Sequence, residues 1–365
     1  MEQKVKKLTV KYNGQVVGYL AEIDQGKIAF QYDEKWIKTG FSISPFSLPL
    51  DSNLHYGNKD LFGGLLGVFA DSLPDGWGEL LVRRQLAKQG KNYDHLSPLE
   101  KLMIIGDDGL GALTYEPSKA HTDIGKFVEI EKLAKNAQKI YDDEDYGESL
   151  DLLYNFGGSS GGARPKAHIK KGDEYWIVKF ACRADPDDIG KKEYYANVLA
   201  EECGIEVNEH KLFSSEKCTG YFGAKRFDRV NGKRVHMISL SSILETTHRI
   251  PNLDYMHLFQ VIQSICKDKS DMYEAFRRMV FNVFYENKDD HGKNFAFLYD
   301  ESLGGYKLSP AYDLTKVKSK AEHEMTVNGS GKPTEEDMLS VAKQMKLSLA
   351  KCREIIKKIK EVLHI

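Results

Sequence analysis

The alternation of apolar and polar residues opens the chain as β structure. Leu8-Thr-Val-Lys-Tyr12 and Gln15-Val-Val-Gly-Tyr-Leu20 flank Asn13-Gly14. Asn-Gly accepts the positive φ values of a type I′ turn, so a hairpin is predicted, with Lys27-Ile-Ala-Phe-Gln-Tyr32 as a third strand. Over residues 71–106 the apolar period lengthens. Pro74-Asp-Gly-Trp-Gly-Glu79 reads as a turn leading into a helix that ends near Gln89, and Ser97-Pro98-Leu99-Glu100 combines a capping box with Pro at the first helical position. Phe127 to Tyr141 has amphipathic helical spacing, and the acidic run Asp142-Asp-Glu-Asp145 reads as a solvated connector. A Gly-rich stretch follows, then strand-like Ala167-His-Ile-Lys170 and Tyr175-Trp-Ile-Val-Lys-Phe180. Glu193 to Cys203 reads as a helix ended by Gly204. After about residue 250 the pattern is nearly all helical apart from 295–308, and it closes on a helix from Leu347 to Leu363. Its lysines (351, 357, 358 and 360) read as a solvated face. No internal repeat or low-complexity linker interrupts the pattern.

Composition narrows the class. The 365 residues, 41% of them hydrophobic and 29% charged, suit a folded chain of two domains or one large one. Lys plus Arg number 52 against 54 Asp plus Glu. That balance gives no global attraction to nucleic acid or an anionic membrane. The N-terminus has no apolar signal segment, and Leu61–Ala70 is too short and Gly-rich to span a bilayer. The five cysteines form no CxxC pair, which argues against a disulfide framework or zinc ribbon and suits a reducing, cytoplasmic compartment.

Three segments carry the chemistry. In Phe156-Gly-Gly-Ser-Ser-Gly-Gly-Ala-Arg-Pro-Lys166, glycines lacking a Cβ let backbone N–H groups approach an anion; a flexible linker is the plain alternative. The loop is not a Walker A motif. Lys166 closes it, and Lys179 sits in apolar Trp-Ile-Val-Lys-Phe-Ala, where a lysine is costly to bury without an anion; the alternative is an edge strand facing water. In Asn287-Lys-Asp-Asp-His-Gly-Lys-Asn-Phe295, Asp289 and Asn294 stand at the D-x-x-x-x-N spacing of a kinase catalytic loop. Asp313, in Ser309-Pro-Ala-Tyr-Asp313, stands where a kinase places its second metal-binding Asp. Gly-rich loop, strand Lys, acid-bearing helix, D-x-x-x-x-N, hairpin and Asp occur in the linear order of kinase parts, which points to phosphoryl transfer. Lys179 then holds ATP phosphates, and Asn294 and Asp313 hold Mg²⁺. The four residues are expected to converge on one nucleotide.

With these motifs the chain resembles the HipA family of bacterial serine/threonine kinases, the toxins of toxin–antitoxin systems. The resemblance also covers Phe41-Ser-Ile-Ser-Pro-Phe-Ser-Leu-Pro-Leu50, Leu73-Pro-Asp-Gly76, Ile105-Gly106 with Gly111-Ala112, and Lys225-Arg-Phe-Asp-Arg229. It implies an α+β fold: a divergent bilobal protein-kinase-like fold with an added β-rich N-terminal subdomain and an all-α C-terminal lobe. The expected divisions are a β-rich subdomain over 1–120, an N-lobe-like region over 121–230, and a mostly helical C-lobe over 231–365. It implies Asp289 as the catalytic residue and Asn294 and Asp313 as Mg²⁺ ligands. Lys179, Lys166 and His291 lie near the phosphates of ATP, with Ser159, Ser160, Gly161 and Gly162 in the Gly-rich loop. Lys225, Arg226, Phe227 and Asp228 border adenine and ribose. Ser159, or its neighbour Ser160, matches an autophosphorylated loop serine. The charge of a phosphate there, about −1.5 to −2, would expel the loop and switch activity off. The family's targets are aminoacyl-tRNA synthetases and its partner is a helix-turn-helix antitoxin; direct DNA contact and membrane association are not expected.

The remaining candidates have plainer readings. Glu193 is either the helix partner of Lys179 or a solvated acid at a helix N-terminus. His210, His248 and His257 lack metal-like spacing, Trp77 and Trp176 read as packing residues, and Ser42 and Ser44 read as ordinary strand residues rather than a regulatory pair. Two other functions stay open: a catalytically silent kinase-like binding module, and a kinase of a small-molecule hydroxyl.

Overall fold

The computed structural model describes residues 5–23, 26–119, 128–142, 147–247 and 249–365. Phe127, residues 143–145 of the acidic run and His248 lie outside them. The chain divides into two units, one of residues 1–191, 211–238 and 242–246, the other of 192–210, 239–241 and 247–365.

The first unit opens with β1 (Lys7–Tyr12), β2 (Gln15–Glu22) and β3 (Ile28–Tyr32), the three strands expected. Asn13 and Gly14 take φ values of 46° and 84°, as a type I′ turn requires. After α1 (Glu34–Thr39), the edge strand β4 (His55–Tyr56) pairs with β3. Then come α2 (Gly67–Ala70), α3 (Gly76–Lys88), α4 (Pro98–Ile105) and β5 (Leu113–Glu116), which completes an antiparallel sheet in the order β4-β3-β2-β1-β5. The predicted box at Ser97 and Glu100 caps α4, an arrangement worth about 1 kcal/mol. Ser44 closes a turn through its bridge to Leu48 and Ser42 precedes it, neither lying in a strand.

The chain continues through α5 (Ile130–Tyr141), α6 (Gly147–Gly157), β6 (Lys166–Lys171), β7 (Glu174–Lys179), α7 (Ile189–Glu202), β8 (His210–Phe213), β9 (Tyr221–Lys225), β10 (Arg229–Val230), β11 (Lys233–Arg234), β12 (Met237–Ser239) and α8 (Leu240–Ile243). The second sheet runs β6-β7-β9-β8. Trp77 and Leu81 of α3, Leu133 and Ile140 of α5, and Leu150, Leu153 and Phe156 of α6 share a buried core with Ala167 and Val178 of that sheet. Trp77 and Trp176 are thus packing residues. The sequence reading passed over α6, although Leu150, Leu153 and Phe156 recur every three residues; the acidic run before it and the glycines after it masked the period.

In the second unit, α9 (Tyr255–Ile265) and α10 (Ser270–Tyr285) precede the hairpin of β13 (Ala296–Asp300) and β14 (Gly305–Leu308), and α11 (Glu335–Gln344) and α12 (Leu349–Leu363) close the chain. Residues 309–334 contain no helix, which corrects the expectation of near-continuous helix beyond 250. Pro310, Gly329, Gly331 and Pro333 break any helical run. The segment finds backbone partners instead at the isolated bridges Val207–Ala311 and Asp254–Thr326. Among the described residues no helix is long and apolar enough to cross a membrane.

Candidate active site

The Gly-rich loop of the first unit is docked, not adrift. It leaves the end of α6 with Ser160 N–H donating to Gly157 O at 3.0 Å and Ser160 Oγ to the same carbonyl at 2.5 Å. It then lies on the N-terminus of α3. Trp77 N–H, one of the helix's unsatisfied donors, donates to Gly162 O at 2.9 Å, and Gly162 N–H donates to the Asp75 carboxylate. Trp77 Nε1 reaches Lys166 O at 3.0 Å. The approach needs glycine: a Cβ on Gly78 would stand 2.1 Å from Ser160 O, and one on Gly76, whose φ is +47°, 2.5 Å from Gly162 O. The linker alternative therefore fails, and Pro74-Asp-Gly-Trp-Gly is explained as the loop's seat. Gly78→Ala should cost about 1–3 kcal/mol by overpacking and speed amide exchange at Trp77 and Gly162. Wild-type exchange at both amides would refute the docking.

Ser159 and Ser160 are both buried, at 8% and 1% exposure. The Ser160 hydroxyl is committed to Gly157. Lys166 is buried and its Nζ donates to Gly161 O. Lys179 closes β7, an interior strand flanked by β6 and β9, so the edge-strand reading is overturned. In the β6–β7 register Lys166 and Lys179 stand directly opposite one another. Like charges in that position repel. Lys179 Nζ also lies 5.8 Å from the centre of the Phe222 ring.

At the end of β9, Lys225 pairs with Glu174 at 2.5 Å. Arg226 and Asp228 are buried and bonded to each other: Arg226 Nε and Nη2 donate to the two Asp228 oxygens at 2.8 and 2.7 Å. Arg229 Nη1 adds a bond at 2.8 Å and Gly111 N–H another at 2.8 Å. Burial alone would raise the Asp228 carboxyl, but the two guanidiniums carry it far below the usual carboxylate range. Arg226 also raises the cost of charging buried His168, whose imidazole burial already pushes well below its ordinary value. Phe227, between these residues, is half-buried.

The second unit gathers three predicted residues. Asn294 Nδ2 donates to Asp289 O at 2.7 Å. Tyr312 OH donates to Lys293 O at 2.6 Å, and Asn287 Nδ2 lies 3.5 Å from Asp313 O. These bonds join the segments bearing Asp289, Asn294 and Asp313. Asp313 has φ +53°, a left-handed backbone uncommon outside glycine and concentrated at functional sites. His291 caps the short turn Gly292–Asn294, its Nδ1 accepting from Lys293 N–H at 3.2 Å. Gly292 has no room for a side chain, since a Cβ would meet Ser241 Oγ at 2.5 Å.

Glu193 is buried at 4% exposure, so the solvated reading is wrong. His210 packs against Tyr194 and His257 completes the cap of α9. The sequence reading missed Asp290 and Lys320. Asp290 is fully buried and Lys320 donates to the Asp289 carboxylate. Neither shows in local spacing, because their partners lie some 30 residues away in the chain.

Family models match most of this chain. The HipA N-terminal domain matches residues 8–116, and the HipA-like C-terminal domain matches 158–364, from the Gly-rich loop through the last helix. The chain belongs to the HipA family. A HipA of Shewanella oneidensis, solved with HipB and operator DNA, shares the fold at TM-score 0.72 and 18% identity, over 97% of this chain and 88% of that one. The α+β, kinase-like fold that the resemblance implies is thereby established. Two proteins of Sinorhizobium fredii are similar in sequence. "Putative kinase Y4dM" is 25% identical over 347 residues, 88% of this chain and 80% of that protein. "Putative kinase Y4mE" is 23% identical over 344 residues, 85% and 77%.

Proposed function

We propose that this HipA-family protein is a Mg²⁺/ATP-dependent serine/threonine protein kinase. The observation that carries the reading is that hydrogen bonds join the segments bearing Asp289, Asn294 and left-handed Asp313 within one unit. In the reaction, a serine Oγ attacks the γ-phosphorus of ATP, the bond to the ADP oxygen breaks, and the hydroxyl proton passes to Asp289. Phosphoryl transfer asks mainly for positioning and charge neutralisation, and each other residue serves one of these.

The donor set fits magnesium, which takes hard oxygens and is usually held by one or two protein side chains plus substrate phosphates. Asn294 gives its Nδ2 to Asp289 and keeps Oδ1 as a donor, and Asp313 supplies a carboxylate. The ion, when bound, neutralises phosphate charge. Lys166 and Lys179, opposed across two strands, bring positive charge to the phosphates. The loop 159–162 and His291 border the phosphates, and the backbone of 225–228 borders adenine and ribose, since the Arg226 and Asp228 side chains are taken up by each other.

Ser159 is the autophosphorylated residue, because the hydroxyl of Ser160 is spent on Gly157. The protein acts in the cytoplasm, with a HipB-like antitoxin as partner and an aminoacyl-tRNA synthetase as target. Support for the antitoxin is the solved HipA–HipB complex of the same fold. In the test, the protein is incubated with Mg²⁺ and ATP and its intact mass followed. One phosphate is expected, mapped to Ser159, retained in Ser160→Ala and lost in Ser159→Ala. A melting temperature unmoved by millimolar Mg²⁺/ATP would overturn the reading, since ligand at 100 times its Kd adds about 2.7 kcal/mol.

A further inference from the structure

Two adjacent acids of the second unit face different surroundings, and one downstream segment engages both. Asp290 is fully buried. It accepts Tyr255 OH at 2.8 Å, His323 Nδ1 at 2.9 Å and Glu324 N–H at 3.0 Å. Tyr255 OH in turn accepts from Asn282 Nδ2 at 2.9 Å. This network ties residues 323–324 to the core, where losing one partner would strand a buried charge. Three residues before His323, Lys320 Nζ donates to Asp289 Oδ1 and to Glu324 Oε1, the latter at 2.6 Å. Asp289 and Lys320 are part-exposed, with side chains at 43% and 34%.

An ion pair so exposed adds under about 1 kcal/mol to stability. The fold holds 323–324 through Asp290 without it. What the lysine does uniquely is fix one oxygen of Asp289. Oδ2 has no partner among the described residues. A carboxylate that rotates freely presents either oxygen at varying angles; one pinned at Oδ1 presents Oδ2 in a single direction.

We propose that Lys320 is a positioning residue for phosphoryl transfer: anchored through Glu324 and the Asp290 network, it pins Asp289 so that Oδ2 meets the incoming serine hydroxyl. This rests on the kinase reading above. The transition state is loose and asks more for alignment than for a strong base, so holding the carboxylate in one direction is what the lysine contributes. Misplacement of a reacting group by about 1 Å costs roughly 100-fold.

The test is autophosphorylation of the full chain at varied Mg²⁺/ATP. Lys320→Met should lower the saturated rate about 30- to 100-fold and leave the ATP concentration for half-maximal rate within about 2-fold. Lys320→Arg should recover most of the rate, because it restores a donor to Oδ1. Melting temperatures of both should match the wild type. If Lys320→Met does not fold, Lys320→Gln carries the same comparison. A wild-type rate in Lys320→Met, or equal losses in the Met and Arg variants, overturns the proposal. Should that occur while Asp289→Asn is inactive, the kinase reading stands and only the role of Lys320 falls. A wild-type protein that takes up no phosphate removes both.

Discussion

Asp289→Asn protein, given Mg²⁺ and ATP, should incorporate phosphate at least about 10³-fold more slowly than the wild type, within the range that a positioned proton acceptor contributes. The substitution keeps size and shape. An amide oxygen can still accept from Lys320, and the backbone carbonyl that receives Asn294 is untouched. What is lost is the capacity to take the hydroxyl proton. The side chain is 43% exposed, so folding should be unaffected, and nucleotide should still raise the melting temperature by the wild-type amount. The two readouts separate chemistry from binding: mass change for one, thermal shift for the other. Incorporation within tenfold of the wild type would remove Asp289 from the mechanism.

The largest stability effect should come from Asp228→Ala. Asp228 holds Arg226 and Arg229 in the interior of the first unit and caps Gly111 N–H. Removing the carboxylate leaves two guanidinium groups facing each other with little water. Breaking a buried ion cluster on one side costs about 3–5 kcal/mol. For a unit of this size that lowers the melting temperature by roughly 6–20 °C. The pH dependence follows from the direction of the shift. The folded carboxyl titrates far below its ordinary value, so the unfolded chain binds the proton first as pH falls. The Asp228 contribution is whole at neutral pH and decays once pH drops below the unfolded value of about 3.9. The gap between wild type and Asp228→Ala should therefore shrink on acidification. A variant melting within 2 °C of the wild type at pH 7 would show that the cluster is not structural.

Local chemistry made much of the fold legible. The Asn13-Gly14 turn, the Ser97 capping box and the Gly204 stop each follow from one or two residues acting on their own backbone, and each is found where its sequence signal places it. Signals that span elements fared worse. The helix 147–157 was hidden between an acidic run and a glycine cluster. The stretch 309–334 lacked a helical stripe but was read with its helical neighbours. For Glu193 the solvated alternative fails and the side chain is buried, because burial depends on what packs over a helix and not on its dipole.

By itself the sequence determined the family, the hairpins and caps, and the chain order of glycine loop, lysine, acids and amide. These depend on residue types at short spacing, which the chain carries with it. Only the tertiary structure decided that Gly76 and Gly78 seat the loop, that Lys166 stands across from Lys179, that Asp228 receives Gly111 N–H, and that Lys320 grips Asp289. Each of those is a meeting of groups distant in sequence or set by strand register. Such meetings are fixed by burial, pairing and close packing of the whole fold, which no local pattern records.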